Sequence, residues 1–425
     1  MLACGAVELL AMGVASRLDA RVETTGFLLL VGVASAAYVA ALVLIARGRP
    51  TVRRELAVCL VLGVIWRVAF VGGAPIASDD VYRYVWDGRV QGHGLNPYVS
   101  APDDPTLSWL HTDVTRKIDP TSAALPTIYP PGAQLFFRAV TSTHESVTAL
   151  VIAVVACDLL TVFVLLRWLM SAGRSPWWVL AYTWHPLVAI EGAGAAHIDL
   201  VGTLLVVCAA YALHARHGLL AAIALGAAFT VKLLPLVLVP LFWRRVRLWH
   251  AACAVGLVAL LSIPFVLPVE GTIRFPVGSL GTYAAQWRFN GPLFAWLESM
   301  LGLGASVAIT VGGGLAVAAV ARARFPRGAP EAWAWPMAAT LILMPAVYPW
   351  YLVWLVPFCT SHRTWPLLAW SLGVPLTYAV WVSASSGGGW VLPSWVEPVE
   401  YALVAVALVA AWLATRRRVA GSFAA

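Results

Sequence analysis

Hydrophobic residues in this chain come in long unbroken blocks separated by short polar intervals, without strict alternation of apolar and polar positions. A transmembrane helix needs about 20 mostly apolar residues and a barrel strand about 10 alternating ones, so the blocks predict membrane helices. They fall near 2–16, 26–46, 55–74, 146–169, 177–195, 198–213, 250–268, 301–321, 332–346, 350–361, 366–384 and 399–415. A further block, 219–243, has Arg216 before it, Arg244 after it and a break at Lys232 to Pro235. It predicts two half-depth helices in a hairpin, because interrupted backbone at membrane depth must line a cavity or be buried in protein. The expected fold is all-α and polytopic, a single membrane-embedded domain over 1–425 with about 12–14 transmembrane helices.

Composition agrees, with 61% of residues hydrophobic and 11% charged; soluble domains carry about 25% charge, so a soluble globular protein is excluded. The net charge of +8 raises nucleic-acid binding, but its distribution argues against that. The arginines gather between apolar blocks, at Arg47, Arg49, Arg53 and Arg54, at Arg244, Arg245 and Arg247, at Arg322, Arg324 and Arg327, and at Arg416, Arg417 and Arg418. The positive-inside rule makes these cytoplasmic, and with the hairpin both termini fall on that side. The first block carries Glu8 and lacks a basic leader, so a cleaved signal peptide is not expected. The six cysteines have no CxxC spacing and read as small core hydrophobes.

On this topology the interval 77–145 is a large outer loop holding eight of the 20 acidic residues, and 269–292 is a second outer loop with Arg274 and Arg288. A structureless loop as long as the first is uncommon, so short interfacial helices are expected in it. Within SDDVYRYVWDG, the residues Asp80, Arg83, Tyr84 and Asp87 fall at i, i+3, i+4 and i+7 and share one face of a helix. The opposite face carries Val81, Tyr82, Val85 and Trp86, which predicts a helix in the headgroup layer with its charges toward a cleft. Helix capping by Ser78 and the two aspartates, Asp79 and Asp80, is the alternative reading and is compatible with it.

Four other segments bear polar groups near apolar blocks. TIYPPGAQ sets Tyr129 beside backbone-fixing prolines, as a site residue or an interfacial anchor. EGAGAAHID puts Glu191, His197 and Asp199 at the junction of two blocks among small residues; ionisable groups in a membrane face a cavity or one another. Their spacing matches no standard metal motif, although a divalent metal remains possible. Lys232 in FTVKLLPLVLVP calls for a carboxylate or a phosphate, unless it snorkels to the surface. Arg288 in QWRFNGP is a second candidate phosphate contact or an ordinary loop arginine, and YPWYLVWLVP reads as an aromatic girdle. There is no Walker loop, GxSxG or HExxH pattern.

The ordered set, an acidic motif in the first large outer loop, then YPP, an ExxxxxH junction, a lysine–proline break and a late PWYLVW, resembles the GT-C superfamily of glycosyltransferases. It is most similar to bacterial polyprenyl-phosphate-mannose-dependent mannosyltransferases and glycosyltransferase family 87. The resemblance covers residues 78–357; the first two blocks are extra relative to the simplest members. It implies inverting transfer of a sugar, mannose, from a polyprenyl-phosphate donor to a glycan or glycolipid acceptor on the outer leaflet of the bacterial cytoplasmic membrane. Asp80 would be the general base, with Asp79 orienting the acceptor or a metal. Lys232 and Arg288 would meet the phosphate, and Tyr129, Glu191, His197 and Asp199 would line the sugar cavity. The competing readings are a transporter or flippase, where broken helices and midplane charges also occur, and a lipid-linked oligosaccharide ligase with a diphosphate leaving group.

Overall fold

The structure, a computed structural model, describes residues 1–48, 52–269, 272–274 and 278–422. Arg49 of the first basic cluster and part of the second outer loop lie outside the described residues. The regular elements of the described residues are helical apart from an antiparallel ribbon of β1 (Leu267–Val269) and β2 (Thr272–Arg274). The longer helices are α1 (Leu2–Ala15), α2 (Thr24–Ala46), α3 (Arg53–Val68), α4 (Asp80–Gly92), α5 (Pro131–Thr143), α6 (Val147–Ser171) and α7 (Asp199–His214). They continue with α8 (Gly218–Val231), α9 (Leu248–Ser262), α10 (Pro292–Arg324), α11 (Glu331–Leu341), α12 (Trp365–Gly373) and α13 (Val396–Ser422). Among the described residues six segments can cross a membrane by length and composition: Thr24–Ala46, Val147–Ser171, Leu248–Phe265, Pro292–Arg324, His362–Ser385 and Val396–Arg416. The protein is an all-α, multi-pass membrane protein.

Other apolar blocks are short or broken, and proline explains most of the breaks, because it lacks the N–H that continues a helix. Residues 177–195 form a 3-10 turn (Pro176–Val179), two four-residue turns on either side of His185, and a π-helical turn over Ile190–Gly194. The PWYLVW stretch is a 3-10 helix, Pro349–Trp354. In the 219–243 block α8 ends at Val231, Lys232 is extended, and a 3-10 helix runs over Leu234–Phe242. Helix α10 is interrupted at Gly302, whose φ of 79° lies outside the helical region.

The bundle has two chemically distinct ends. Helices α2, α10 and α13 run toward arginines, with Arg47 after α2, Arg322 and Arg324 in the last turn of α10, and Arg416 near the end of α13. Two basic clusters meet there: Arg245 donates to the Phe325 carbonyl at 2.9 Å and Arg322 to that of Trp243 at 2.9 Å. Between the ends, small residues permit close packing. A Cβ on Gly63 would lie 2.5 Å from Thr183 and one on Gly5 2.8 Å from the Trp184 ring, which seats α1 and α3 on residues 183–184. Of the cysteines, Cys59 and Cys359 are buried, Cys4, Cys157 and Cys208 half-buried and Cys253 exposed.

An unforeseen charge pair joins α3 to α6. Arg67 and Asp158 are both fully buried and form a two-point ion pair. Arg67 also donates to the carbonyls of Gly63 at 2.7 Å and Thr183 at 2.8 Å. Removing one partner of such a pair strands a charge and costs about 3–5 kcal/mol, whereas an apolar replacement of both is far milder. Asp158→Ala is therefore expected to lower the melting temperature of the detergent-solubilised protein sharply, and Arg67→Met with Asp158→Leu to recover most of the loss. Equal losses in the two variants would show that packing, and not charge, holds this junction.

Candidate active site

The acidic motif follows a left-handed residue, Ala77 with φ 54°, and Ile76 donates its N–H to the Gly194 carbonyl at 2.9 Å. That bond ties the start of α4 to the π turn bearing Glu191. A second left-handed alanine, Ala196 with φ 57°, precedes His197. An alanine in this region carries strain that the surroundings must impose. Here backbone bonds from Ala196 to Gly192 and from His197 to Glu191, both 2.9 Å, close the turn. The π turn is possible because its residues are small: a Cβ on Gly192 would lie 2.6 Å from Leu200.

These turns bring Asp80 to Tyr129 and His197. The Tyr129 hydroxyl donates to Asp80 Oδ2 at 3.0 Å, and His197 Nδ1 lies 3.7 Å from the same oxygen. The far nitrogen of His197, Nε2, lies 3.3 Å from Glu191 Oε2, while Tyr378 donates to Glu191 Oε1. The imidazole stacks on Trp350 with ring centres 4.1 Å apart. Tyr129 is fixed by its neighbours: its carbonyl accepts from Tyr98 at 2.7 Å, and its ring meets Tyr84 and Phe137 edge-on at 5.1 and 5.5 Å. The YPPG motif docks on the end of α8, since a Cβ on Gly132 would fall 2.2 Å from the Thr230 hydroxyl.

Lys232 closes the site. Its ammonium meets both oxygens of the buried Asp199 at 2.8 and 2.7 Å and lies 4.4 Å from the centre of the Tyr351 ring. Asp199 also accepts from the Trp354 indole at 2.7 Å. Tyr351 is held in turn by Tyr283, with hydroxyls 2.9 Å apart. Removal from water raises the Asp80 carboxyl to about 6, against the lowering field of Lys232 and the Tyr129 hydrogen bond. Desolvation and the Asp80 charge push the Tyr129 phenol well above its ordinary range, so it stays a donor.

Other candidates from the sequence lie elsewhere. Asp79 pairs with Arg21, whose guanidinium lies over Trp381 at 4.9 Å. Arg83 and Asp87 pair with each other at 2.8 Å. Arg83 also donates to the Ser122 carbonyl, and Asp87 accepts from Thr127 and Gln134, each at 2.7 Å. Their shared face thus fastens α4 to its own loop and to α5. The opposite face is covered as well: Trp86 stacks on His111 and packs with Val90, Leu110 and Ile118. The loop supplies the cover that the sequence pattern assigns to headgroups. Arg288 pairs with Glu298 at 2.6 Å and donates to the Ala284 and Trp287 carbonyls. Among the described residues no three His, Cys, Asp or Glu side chains are grouped to hold a metal ion.

The family model described as MptA_B family, Alpha-(1->6)-mannopyranosyltransferase, N-terminal domain, matches residues 5–270, more than half of the chain. The chain belongs to this family. It is a glycosyltransferase, as its GT-C resemblance implies, and the match covers Asp80, Tyr129, Glu191, His197, Asp199 and Lys232 alike. Comparison with curated proteins and with solved structures gives no match.

Residues that the sequence did not mark include Arg21, Trp354, Tyr378 and Tyr351. Arg21 had a signal, being an arginine in an interval that the expected topology puts outside, where the positive-inside rule depletes basic residues; the others lay within aromatic or apolar runs that read as girdle or core. Trp354 reaches Asp199 only across Gly202, where a Cβ would lie 2.0 Å from the indole ring. Gly202→Ala is expected to displace Trp354 and destabilise the protein by about 1–3 kcal/mol, the usual cost of overpacking. Thermal unfolding of the purified variant measures it, and an unshifted melt would show that the ring has room to move.

Proposed function

We propose that the protein transfers mannose from a polyprenyl-phosphate donor to a hydroxyl of a glycan or glycolipid acceptor, with inversion, at the outer face of the cytoplasmic membrane. The observation that carries this reading is the setting of Asp80: half-buried, bonded to Tyr129, beside His197 and in the field of Lys232. The acceptor oxygen attacks C1 of the donor sugar as the C1–phosphate bond breaks, and its proton passes to Asp80. A base works best with a pKa near the working pH, and partial desolvation moves Asp80 in that direction. Asp79 is the weaker candidate because its charge is already matched by Arg21; Arg21 and Asp79 brace the acceptor side.

Lys232 is the cation for the departing phosphate. At rest it is neutralised by Asp199, and it keeps a third N–H for a phosphate oxygen. Arg288 is held by Glu298 in an exposed ion pair. Glu191, His197 and Tyr129 form the walls of the sugar cavity, with Trp350 behind the imidazole. The gathering of these groups at one place favours transfer over a transport path, which would string ionisable groups along the bundle. The proton and phosphate roles fall to side chains of this chain. The donor arrives on a lipid because nucleotide sugars are confined to the cytoplasm, and the acidic end of the bundle is the one facing outward.

Purified protein supplied with polyprenyl-phosphate-mannose and an acceptor glycolipid tests the assignment. Asp80→Asn is expected to reduce turnover at least a hundredfold while leaving donor binding intact; unchanged turnover would remove Asp80 as the base. In the wild type kcat/KM should fall as pH drops through about 6, because protonated Asp80 accepts no proton. A rate that stays flat from pH 7 down to 5 would contradict that.

A further inference from the structure

A cavity of about 820 Å³ opens between the segment leading into α10 and the loop before α13, and its walls include Arg288, Asn290, Glu298, Trp390, Ser394 and Glu397. Its volume is at the upper end of the range for small-ligand sites and exceeds what one hexose fills. Trp390 is half exposed, at 50%, in a loop with Gly387 and Gly389 in left-handed conformation. Asn290 is 3% exposed and also left-handed, with φ 51°. Its amide nitrogen is held by Glu400 at 3.1 Å, while its amide oxygen has no hydrogen-bond partner among the described residues. A buried polar atom without a partner is costly, and its residue is one of those that border the cavity.

The cavity is joined to Asp80 by a stack of rings. Phe289 lies on Tyr348 at 4.7 Å, Tyr348 on Trp350 at 4.6 Å, and Trp350 on His197 at 4.1 Å, all within 14° of parallel. His197 then reaches Asp80. Backbone bonds from Phe289 to Pro345 at 3.1 Å and from Val347 to Phe289 at 2.8 Å fix the outer end. A second link runs from Trp390 edge-on to Trp381 at 4.7 Å, then through Arg21 to Asp79.

The charge balance selects the ligand. Arg288 is consumed by Glu298 and two carbonyls, while Glu397 has no cation partner among the described residues. The free functions in the wall include the Glu397 carboxylate, an acceptor, and the Ser394 hydroxyl, which accepts and donates. A lipid phosphate would be repelled; a neutral ligand rich in hydroxyl donors, with flat C–H faces to lie on Trp390, fits. We propose that this cavity is an acceptor subsite that holds the sugars of a glycan chain beyond the one receiving the transfer. The proposal rests on the transferase reading of Asp80.

Calorimetric titration of the full-length protein in detergent with soluble α-1,6-linked mannotetraose and mannobiose tests it. The tetrasaccharide should bind about tenfold more tightly, and Trp390→Ala and Glu397→Gln should each bring the ratio close to one. Equal affinities in the wild type, or an undiminished ratio in both folded variants, overturn the subsite. Transfer from polyprenyl-phosphate-mannose, followed on the same preparations, separates the two ideas. Efficient transfer with the same tetrasaccharide KM in wild type and Trp390→Ala overturns the subsite and leaves the transferase reading standing. Length-dependent binding without any transfer overturns the transferase reading, and with it the acceptor role.

Discussion

Charge taken out of water must find an opposite charge close by, and in this chain that constraint shapes the interior. Lys232 and Asp199 meet at 2.7 Å with Asp199 wholly buried, Arg67 and Asp158 meet with both side chains inaccessible, and Arg83 and Asp87 meet beneath the first large loop. Each pair is weak evidence for stability in itself, since desolvation offsets much of the attraction. What the pairs provide is registry. Lysine from the end of α8 and aspartate from the start of α7 can satisfy each other in one relative placement of the two helices, and Trp354 and Tyr351 then pack around that point.

The same arrangement leaves one carboxylate distinct from the rest. Asp80 has a hydroxyl donor and a nearby imidazole but no cation of its own among the described residues, whereas Asp79, one residue earlier, is matched by Arg21. Neighbouring residues on a helix point about 100° apart, so two adjacent aspartates entered different environments. The strained turns at Ala77 and Ala196 hold the two halves of the site, and the Ile76–Gly194 bond fixes their separation. Small residues in EGAGAAHID serve this geometry, because a π turn with a left-handed exit leaves no space for larger side chains at Gly192.

Under the proposed transfer, the partly desolvated Asp80 carboxyl, the Lys232 ammonium held by Asp199 and the aromatic wall beside His197 form a consistent set. The wall is continuous from Phe289 to His197. The N-terminal pair of helices reaches the acidic motif through Arg21, on the turn between them, which gives α1 and α2 a reason to be present beyond anchoring. The C-terminal third contributes Tyr348, Trp350, Tyr351, Trp354 and Tyr378, so the site draws on nearly the whole chain although the acids and the lysine lie within its first 232 residues.

Composition and block length, read from the sequence by itself, determined a helical membrane protein, a break at Lys232, and the polar residues that cannot lie in lipid without partners. Asp80, Tyr129, His197, Glu191, Asp199 and Lys232 were legible because ionisable groups and tyrosine–proline motifs stand out against an apolar background. Tertiary structure decided the pairings. Four polar positions on one face of α4 look equivalent by helical period, yet Arg83 and Asp87 turn to each other and to Thr127 and Gln134, because a loop distant in sequence covers them. Arg67 and Asp158, 91 residues apart, and Trp354 and Asp199, 155 apart, are joined only by packing. A period of 3.6 residues tells which side chains share a face; which partner that face meets depends on long-range contacts that no local pattern encodes.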